Sequence, residues 1–149
     1  MEASVRQAAT DDLEQIAPLF DGYRQFYGQP SDPALARDFL NQRLSRQESI
    51  IFLASSAAGT ALGFTQLYPS FSSVLARRSY ILNDLFVAPA GRRQGIASLL
   101  LKSAAEFSRS HGVLRLSLAT ARSNEAAQRL YESSGWQRDE VFCYYSLTL

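Results

Sequence analysis

The chain has 149 residues, a formal net charge of +1, 19% charged and 46% hydrophobic residues. That length suits one domain with one core, and so small a charge gives no basic face to a nucleic acid or other polyanion. The single histidine, His111, and single cysteine, Cys143, exclude an internal disulfide and leave almost no material for a metal site or a Cys/His catalytic pair, so no metal is expected. No apolar stretch reaches membrane-spanning length and Met1 to Gln7 reads as a strand rather than a signal, so a soluble, cytoplasmic protein with no membrane partner is expected.

Ser4 to Ala8 reads as a first strand. Thr10-Asp11-Asp12 supplies an N-cap for a helix with Leu13, Ile16, Leu19, Phe20 and Tyr23 at helical spacing, ending near Gly28. Asp32-Pro33 joins a cap to a proline at the first helical position and opens a second helix, with Leu35, Phe39, Leu40 and Leu44 on one side. Ile50 to Ser55, Leu62 to Tyr68 and Ser79 to Val87 read as three antiparallel strands, the first two joined by Ala57-Ala58-Gly59-Thr60. A third helix spans about Gln94 to His111, with Ile96, Leu99, Leu100, Ala104 and Phe107 as its buried stripe and His111-Gly112 as its cap. Val113 to Ala119 is a further strand, and Asn124 to Ser133 a short helix stopped at Gly135. Trp136 to Gln137 and Val141 to Thr148 then close the sheet, with Cys143 as a packed residue of the last strand. One α/β domain over residues 1–149, with a mixed sheet, is the expectation.

The most informative segment runs from Leu85-Phe86-Val87 through Ala88-Pro89-Ala90-Gly91-Arg92-Arg93-Gln94-Gly95 into the apolar helical run Ile96 to Leu101. The unpaired N–H groups of a helix N-terminus attract anions. Gly95 permits close approach to the main chain, Ala97 is nearly as slim, and Arg92 and Arg93 add positive charge. The segment reads as a pyrophosphate cradle. No Gly-Lys-Ser/Thr follows it, which excludes a nucleoside-triphosphate loop, and the glycine spacing of the dinucleotide fingerprint is absent.

The arrangement Arg92-x-x-Gly95-x-Ala97 resembles the coenzyme A signature of the GNAT N-acetyltransferases. Ser123-Asn124-Glu125-Ala126-Ala127-Gln128-Arg129-Leu130-Tyr131-Glu132-Ser133-Ser134-Gly135-Trp136 is similar to that family's downstream segment, in which an Asn begins a helix and a Tyr follows seven residues later on the same face. The resemblance implies a single-domain GNAT-like α/β fold: a mixed, mostly antiparallel sheet of about seven strands, four helices, and a splayed central pair formed by Ser79 to Val87 and Val113 to Ala119. It implies acetyl-CoA or coenzyme A as the cofactor. Backbone groups of Leu85, Phe86 and Val87 would pair with the pantetheine arm, whose amides are peptide-like. Arg92, Arg93, Gln94, Gly95, Ile96, Ala97 and Ser98 would hold the pyrophosphate, and Asn124 and Tyr131 complete the cofactor set.

Attack on a thioester needs a neutral amine, whereas a lysine-like amine with a pKa of about 10.4 is charged at neutral pH. A proton acceptor, donors for the developing oxyanion and an acid for the departing thiolate are therefore required. By resemblance, Tyr131 is that acid. Asn83-Asp84-Leu85-Phe86-Val87 resembles the Glu-Asp-hydrophobic-Phe-Val strand of diamine and polyamine acetyltransferases, but Asn83 stands where the glutamate base would be, and an amide cannot take the proton. Asp84, the nearest carboxylate, either orients the amine, accepts its proton through water, or is a satisfied buried aspartate; desolvation of the amine is the remaining route.

Tyr23, Tyr27 and Tyr68, with Asn83 and Asp84, are the candidate acceptor-binding residues, because aromatics beside carboxylates suit a small organic cation. Phe26 and Phe71 suit that role and the core equally. The aromatic pattern also resembles the yeast histone and D-amino-acid acetyltransferase branch. The expected acceptor is a primary amine of a small molecule, whether polyamine, diamine or amino acid, attacking directly in a ternary complex. A protein lysine or N-terminus as acceptor, and a non-catalytic coenzyme-A-binding sensor, are the alternatives. Tyr144 and Tyr145 suit a strand-edge contact in a homodimer and a terminal hairpin equally.

Overall fold

In the computed structural model, which describes residues 2–149, five strands form one sheet in chain order. They are β1 (Ser4–Gln7), β2 (Ile50–Ser55), β3 (Ala61–Ser72), β4 (Arg77–Val87) and β5 (Leu116–Ser117). The first four pair antiparallel and β5 pairs parallel to β4, so the sheet is mixed, as expected. The helices are α1 (Leu13–Phe26), α2 (Pro33–Ser45), α3 (Ile96–Ser110) and α4 (Glu125–Ser133). Two compact units result, one ending at Ala119 and carrying the sheet with α1 to α3, the other Thr120–Leu149 carrying α4.

Both faces of the sheet are covered, which is why β2 reads as an unbroken apolar run rather than an alternating one. Ile51 and Leu53 join Ile16, Phe20, Leu40 and Phe64 in the core beneath α1 and α2. The intervening Phe52 turns the other way and packs edge-on against Phe107 of α3 at 5.4 Å. Asp32 caps α2 by accepting from the Leu35 N–H at 3.1 Å, with Pro33 at the first helical position, as read from the sequence. The entry to α1 is built differently. A 3-10 turn over Thr10–Asp12 precedes it, and the Asp12 carboxylate reaches back to the Ala9 N–H at 2.8 Å while pairing with Arg6 at 2.7 Å.

Four expectations are corrected. The third helix begins at Ile96, because Gly95 takes a left-handed conformation (φ 74°) that ends the preceding loop. Its buried stripe is Ile96, Leu100, Leu101, Ala104 and Ser108, and Leu99 faces outward. His111 does sit at the helix end, its Nδ1 2.9 Å from the Phe107 carbonyl. The strand expected over Val113 to Ala119 shrinks to Leu116–Ser117, the only positions that pair with β4. Finally, the expected strands at 136–137 and 141–148 are not formed, so the sheet has five strands rather than about seven. Within the Thr120–Leu149 unit α4 is the one regular element among the described residues, and a strand without a neighbour leaves its backbone groups unpaired. Cys143 accordingly is exposed and unpaired rather than packed, and Phe142, Tyr144 and Tyr145 are exposed with it.

Candidate active site

Along β4 the side chains alternate strictly: Tyr80, Leu82 and Asp84 are buried, Ile81 and Asn83 exposed. Period-two alternation thus drives a carboxylate into the interior. The ladder with β3 also slips at this point, since Gln66 faces Asp84 while Leu67 faces Leu82, leaving Asn83 as an extra residue on β4. Such a bulge re-aims the flanking side chains and is a recurrent companion of active sites.

Asp84 is only 1% exposed. Its Oδ2 accepts from Gln66 Nε2 at 2.5 Å and its Oδ1 from Asn83 Nδ2 at 2.8 Å, while the hydroxyl of Thr65 donates to its backbone carbonyl at 2.8 Å. Burial pushes the Asp84 carboxyl above its ordinary range, against the pull of hydrogen bonds from Asn83, Gln66 and Tyr23. Burial and the neighbouring Asp84 also push the phenols of Tyr23 and Tyr68 upward, so both remain neutral donors. Asn83 therefore does not replace the missing glutamate as a base. It supplies an amide that steadies the carboxylate beside it.

A cleft of about 350 Å³ opens above this carboxylate, lined by Phe20, Tyr23, Arg24, Leu35, Phe39, Tyr68, Asn83 and Asp84. Small-molecule sites begin at about this size. The hydroxyl of Tyr23 donates to the Asn83 carbonyl at 3.1 Å, fixing the wall formed by α1 against the bulge of β4. Four of the five residues expected to contact the acceptor, Tyr23, Tyr68, Asn83 and Asp84, are brought together here. Tyr27 stands outside the lining, its half-exposed ring edge-on to Tyr23 at 5.1 Å. Phe26 and Phe71 belong neither to the cleft nor to the core; both are exposed, Phe71 lying under the guanidinium of Arg78.

Sequence reading missed Phe20, Arg24, Leu35 and Phe39 as cleft residues, and Gln66 beneath it. Gln66 carried a signal, being a long polar side chain inside the apolar run of β3. Arg24 carried none beyond its place next to Tyr23.

On the other side of β4 the parallel ladder with β5 ends at Ile81 and Ser117, although β4 continues to Val87. That is the expected splay. Over Leu85, Phe86 and Val87 the strand has no β5 partner, and the Val87 carbonyl accepts instead from Arg92 Nε at 3.1 Å. The loop that follows contains two left-handed residues, Arg93 (φ 64°) and Gly95 (φ 74°), and delivers the free N–H groups of Ile96, Ala97 and Ser98 at the start of α3. A Cβ on Gly95 would meet nothing within 4 Å, so the space beside it is open. The Gln94 side chain is turned to its own loop, donating to the Ala90 carbonyl at 3.0 Å. The backbone of this loop fits a pyrophosphate, and the strand edge fits a peptide-like arm.

In the second unit Asn124 begins α4 as its N-cap, accepting from the Ala127 N–H at 3.1 Å. Its Oδ1 is thus committed to the helix. The ring of Tyr131 lies 6.0 Å from that of Trp136.

Comparison with known proteins agrees with this geometry. The acetyltransferase (GNAT) family model matches residues 13–136. An uncharacterized N-acetyltransferase of Bacillus subtilis (strain 168), YhfO, is 46% identical over 146 residues, which is 98% of this chain and 97% of that protein. A crystal structure of a probable acetyltransferase superposes with a TM-score of 0.93 at 44% identity, covering 98% of this chain and 97% of that one. An aminoglycoside N-acetyltransferase solved in complex with CoA shares the fold, with a TM-score of 0.79 at 21% identity over 99% of this chain and 96% of that one.

Proposed function

The chain belongs to the GNAT acetyltransferase family and is an acetyl-CoA-dependent N-acetyltransferase of that type, and on that premise we propose that it acetylates a primary amine of a small molecule bound in the cleft over Asp84. The observation that carries the reading is the position of one buried carboxylate among aromatic side chains in a cleft of about 350 Å³, at the bulge of the strand whose far end has lost its parallel neighbour. A cleft of that size accepts a small molecule and suits a long protein segment poorly.

Acetyl-CoA supplies an acetyl group activated as a thioester. The residues proposed to hold it are the backbone of Leu85, Phe86 and Val87, the loop Arg92, Arg93, Gln94 and Gly95, the first N–H groups of α3 at Ile96, Ala97 and Ser98, and Asn124. The acceptor amine arrives as an ammonium and must shed a proton. Asp84 is the proposed base: its raised proton affinity, caused by burial, matches the task better than an ordinary carboxylate would. The amide donors of Gln66 and Asn83 hold both of its oxygens in place. Aromatic rings of Tyr23 and Tyr68 stabilise the cation before transfer and exclude water from it. Tyr131 is the proposed proton donor to the departing thiolate.

Release of free thiol from acetyl-CoA across matched panels of small amines and lysine-containing peptides tests this. Saturable release with small amines and none with peptides is expected. Release with peptides alone, or with no amine while coenzyme A binds, would overturn the reading.

A further inference from the structure

We infer that the acceptor is an amino-carboxylate, a small molecule bearing a free carboxylate as well as its primary amine, and that Arg24 reads the carboxylate while Asp84 receives the amine. This rests on the reading that the cleft over Asp84 is the acceptor site.

Arg24 lines the cleft, and its Nη1 is buried without any hydrogen-bond partner. A guanidinium does not lose its charge, and a buried charged donor left unpaired is unfavourable, so the position is poised for an acceptor atom. The nearest carboxylate on the same helix is Asp21, one turn earlier, and it is fully engaged elsewhere. Its Oδ1 accepts from the Asp32 N–H at 2.8 Å, and its Oδ2 from the Ser31 hydroxyl at 2.7 Å and Gln25 Nε2 at 3.1 Å. Those bonds tie the end of α1 to the start of α2; Arg24 donates none of them, although its charge helps hold the Asp21 carboxyl below the usual range. Nor does Arg24 donate to Asp84, whose carboxylate is held by Gln66, Asn83 and Tyr23.

The remaining lining is apolar apart from Asn83 and the hydroxyls of Tyr23 and Tyr68. Phe20, Leu35 and Phe39 offer no acceptor, and the Tyr23 hydroxyl donates to the Asn83 carbonyl. One cleft therefore presents a guanidinium with an unpaired buried N–H group and a buried carboxylate, among side chains that are mostly aromatic or aliphatic. The complementary ligand has the reverse pattern, with a carboxylate for the planar fork of Arg24, an amine for Asp84 and a short apolar stem. A diamine or polyamine would instead set its second cation beside Arg24 in a cleft too small to screen the repulsion.

The test uses three acceptors of matched length: an amino-carboxylate, its carboxamide and the corresponding diamine, with α- and ω-amino acids as the first class. Thiol release from acetyl-CoA is measured with the wild type and with Arg24→Gln. In the wild type, kcat/KM for the carboxylate is expected to exceed that of the carboxamide and diamine at least tenfold, a comparison that needs no variant. Arg24→Gln should remove that preference, raising KM for the carboxylate at least tenfold and for the carboxamide and diamine by less. A wild type that uses the carboxamide or diamine as well as the carboxylate, or a variant that slows all three equally, would overturn the inference while leaving small-amine acetylation standing. If no amine supports thiol release, that broader reading fails, and calorimetric binding of N-acetylated amino-carboxylates decides the inference alone. Binding weakened at least tenfold by Arg24→Gln upholds it, and absent or unchanged binding refutes it.

Discussion

Asp84→Asn keeps the shape of the side chain and removes its acidity, so it separates what the carboxylate does for the fold from what it does for the reaction. Two amide donors, Gln66 Nε2 and Asn83 Nδ2, point at the wild-type oxygens. After substitution one of them meets an NH2 group, and a buried donor facing a donor destabilises the fold by about 1–3 kcal/mol. The structure offers relief, however, because Gln66 Oε1 is buried without a partner. Rotation of the Gln66 amide by half a turn presents that oxygen to the new NH2 group but leaves Nε2 unpaired in its place, so one unpaired buried group is exchanged for another and the expected loss is about 1 kcal/mol at neutral pH. The pH dependence has a definite sign. Burial holds the wild-type carboxyl above its ordinary value of 3.8, so the folded protein keeps this proton to higher pH than the unfolded chain does. Wild-type stability from this group is therefore complete below the unfolded value and lost as pH rises through the folded one. The variant lacks that loss, and its stability relative to wild type should improve as pH rises above about 4, as denaturant titrations would show. Activity should move the other way: about a hundredfold fall in kcat, or roughly 2.7 kcal/mol on the barrier, partly recovered at high pH where more amine is already neutral. An unchanged kcat would refute the base role and leave desolvation of the amine as the route to the nucleophile.

Three further outcomes are expected. A Cβ at Gly63 would lie 2.7 Å from the Phe86 carbonyl oxygen, so Gly63→Ala must part β3 from β4 and should cost about 2 kcal/mol, read as a melting temperature lower by roughly 5 °C; an unchanged melting point would refute the contact. Gly95→Val meets no clash but forces a β-branched residue into the left-handed region at about 1–2 kcal/mol, and should weaken coenzyme A binding about tenfold by calorimetric titration; equal affinity would move the anion site elsewhere. Tyr131→Phe should lower kcat by about two orders of magnitude with coenzyme affinity retained, and a change below threefold would assign the ring to its contact with Trp136.

The two sequence segments that pointed to coenzyme A, Arg92 to Ala97 and Asn124 to Tyr131, were legible because each works through its own backbone: a left-handed glycine before a helix, and an asparagine capping one. The cap at Asp32 and the turn at Gly59 were legible for the same reason, as each depends on residues a few positions apart, whereas the sheet pairs residues as distant as Ser4 and Ser55 and has five strands where about seven were expected. The C-terminal strands were misread because apolar alternation marks a segment able to pair, whereas pairing requires a neighbour that sequence pattern does not supply. Leu99 was misread as core because helical spacing alone does not say how wide the buried stripe is.

Local sequence therefore determined the four helices, the cap of α2 and the conformation of the loop before α3, all of which rest on dihedral preferences and hydrogen bonds between near neighbours. Only tertiary structure decided the cleft over Asp84. Tyr23 and Asn83 are 60 residues apart and meet through one hydrogen bond, and Gln66 reaches Asp84 across a ladder slipped by a single residue. Arg24 shows the same division: its charge is plain in the chain, but only the fold buries its Nη1 at the cleft without a hydrogen-bond partner.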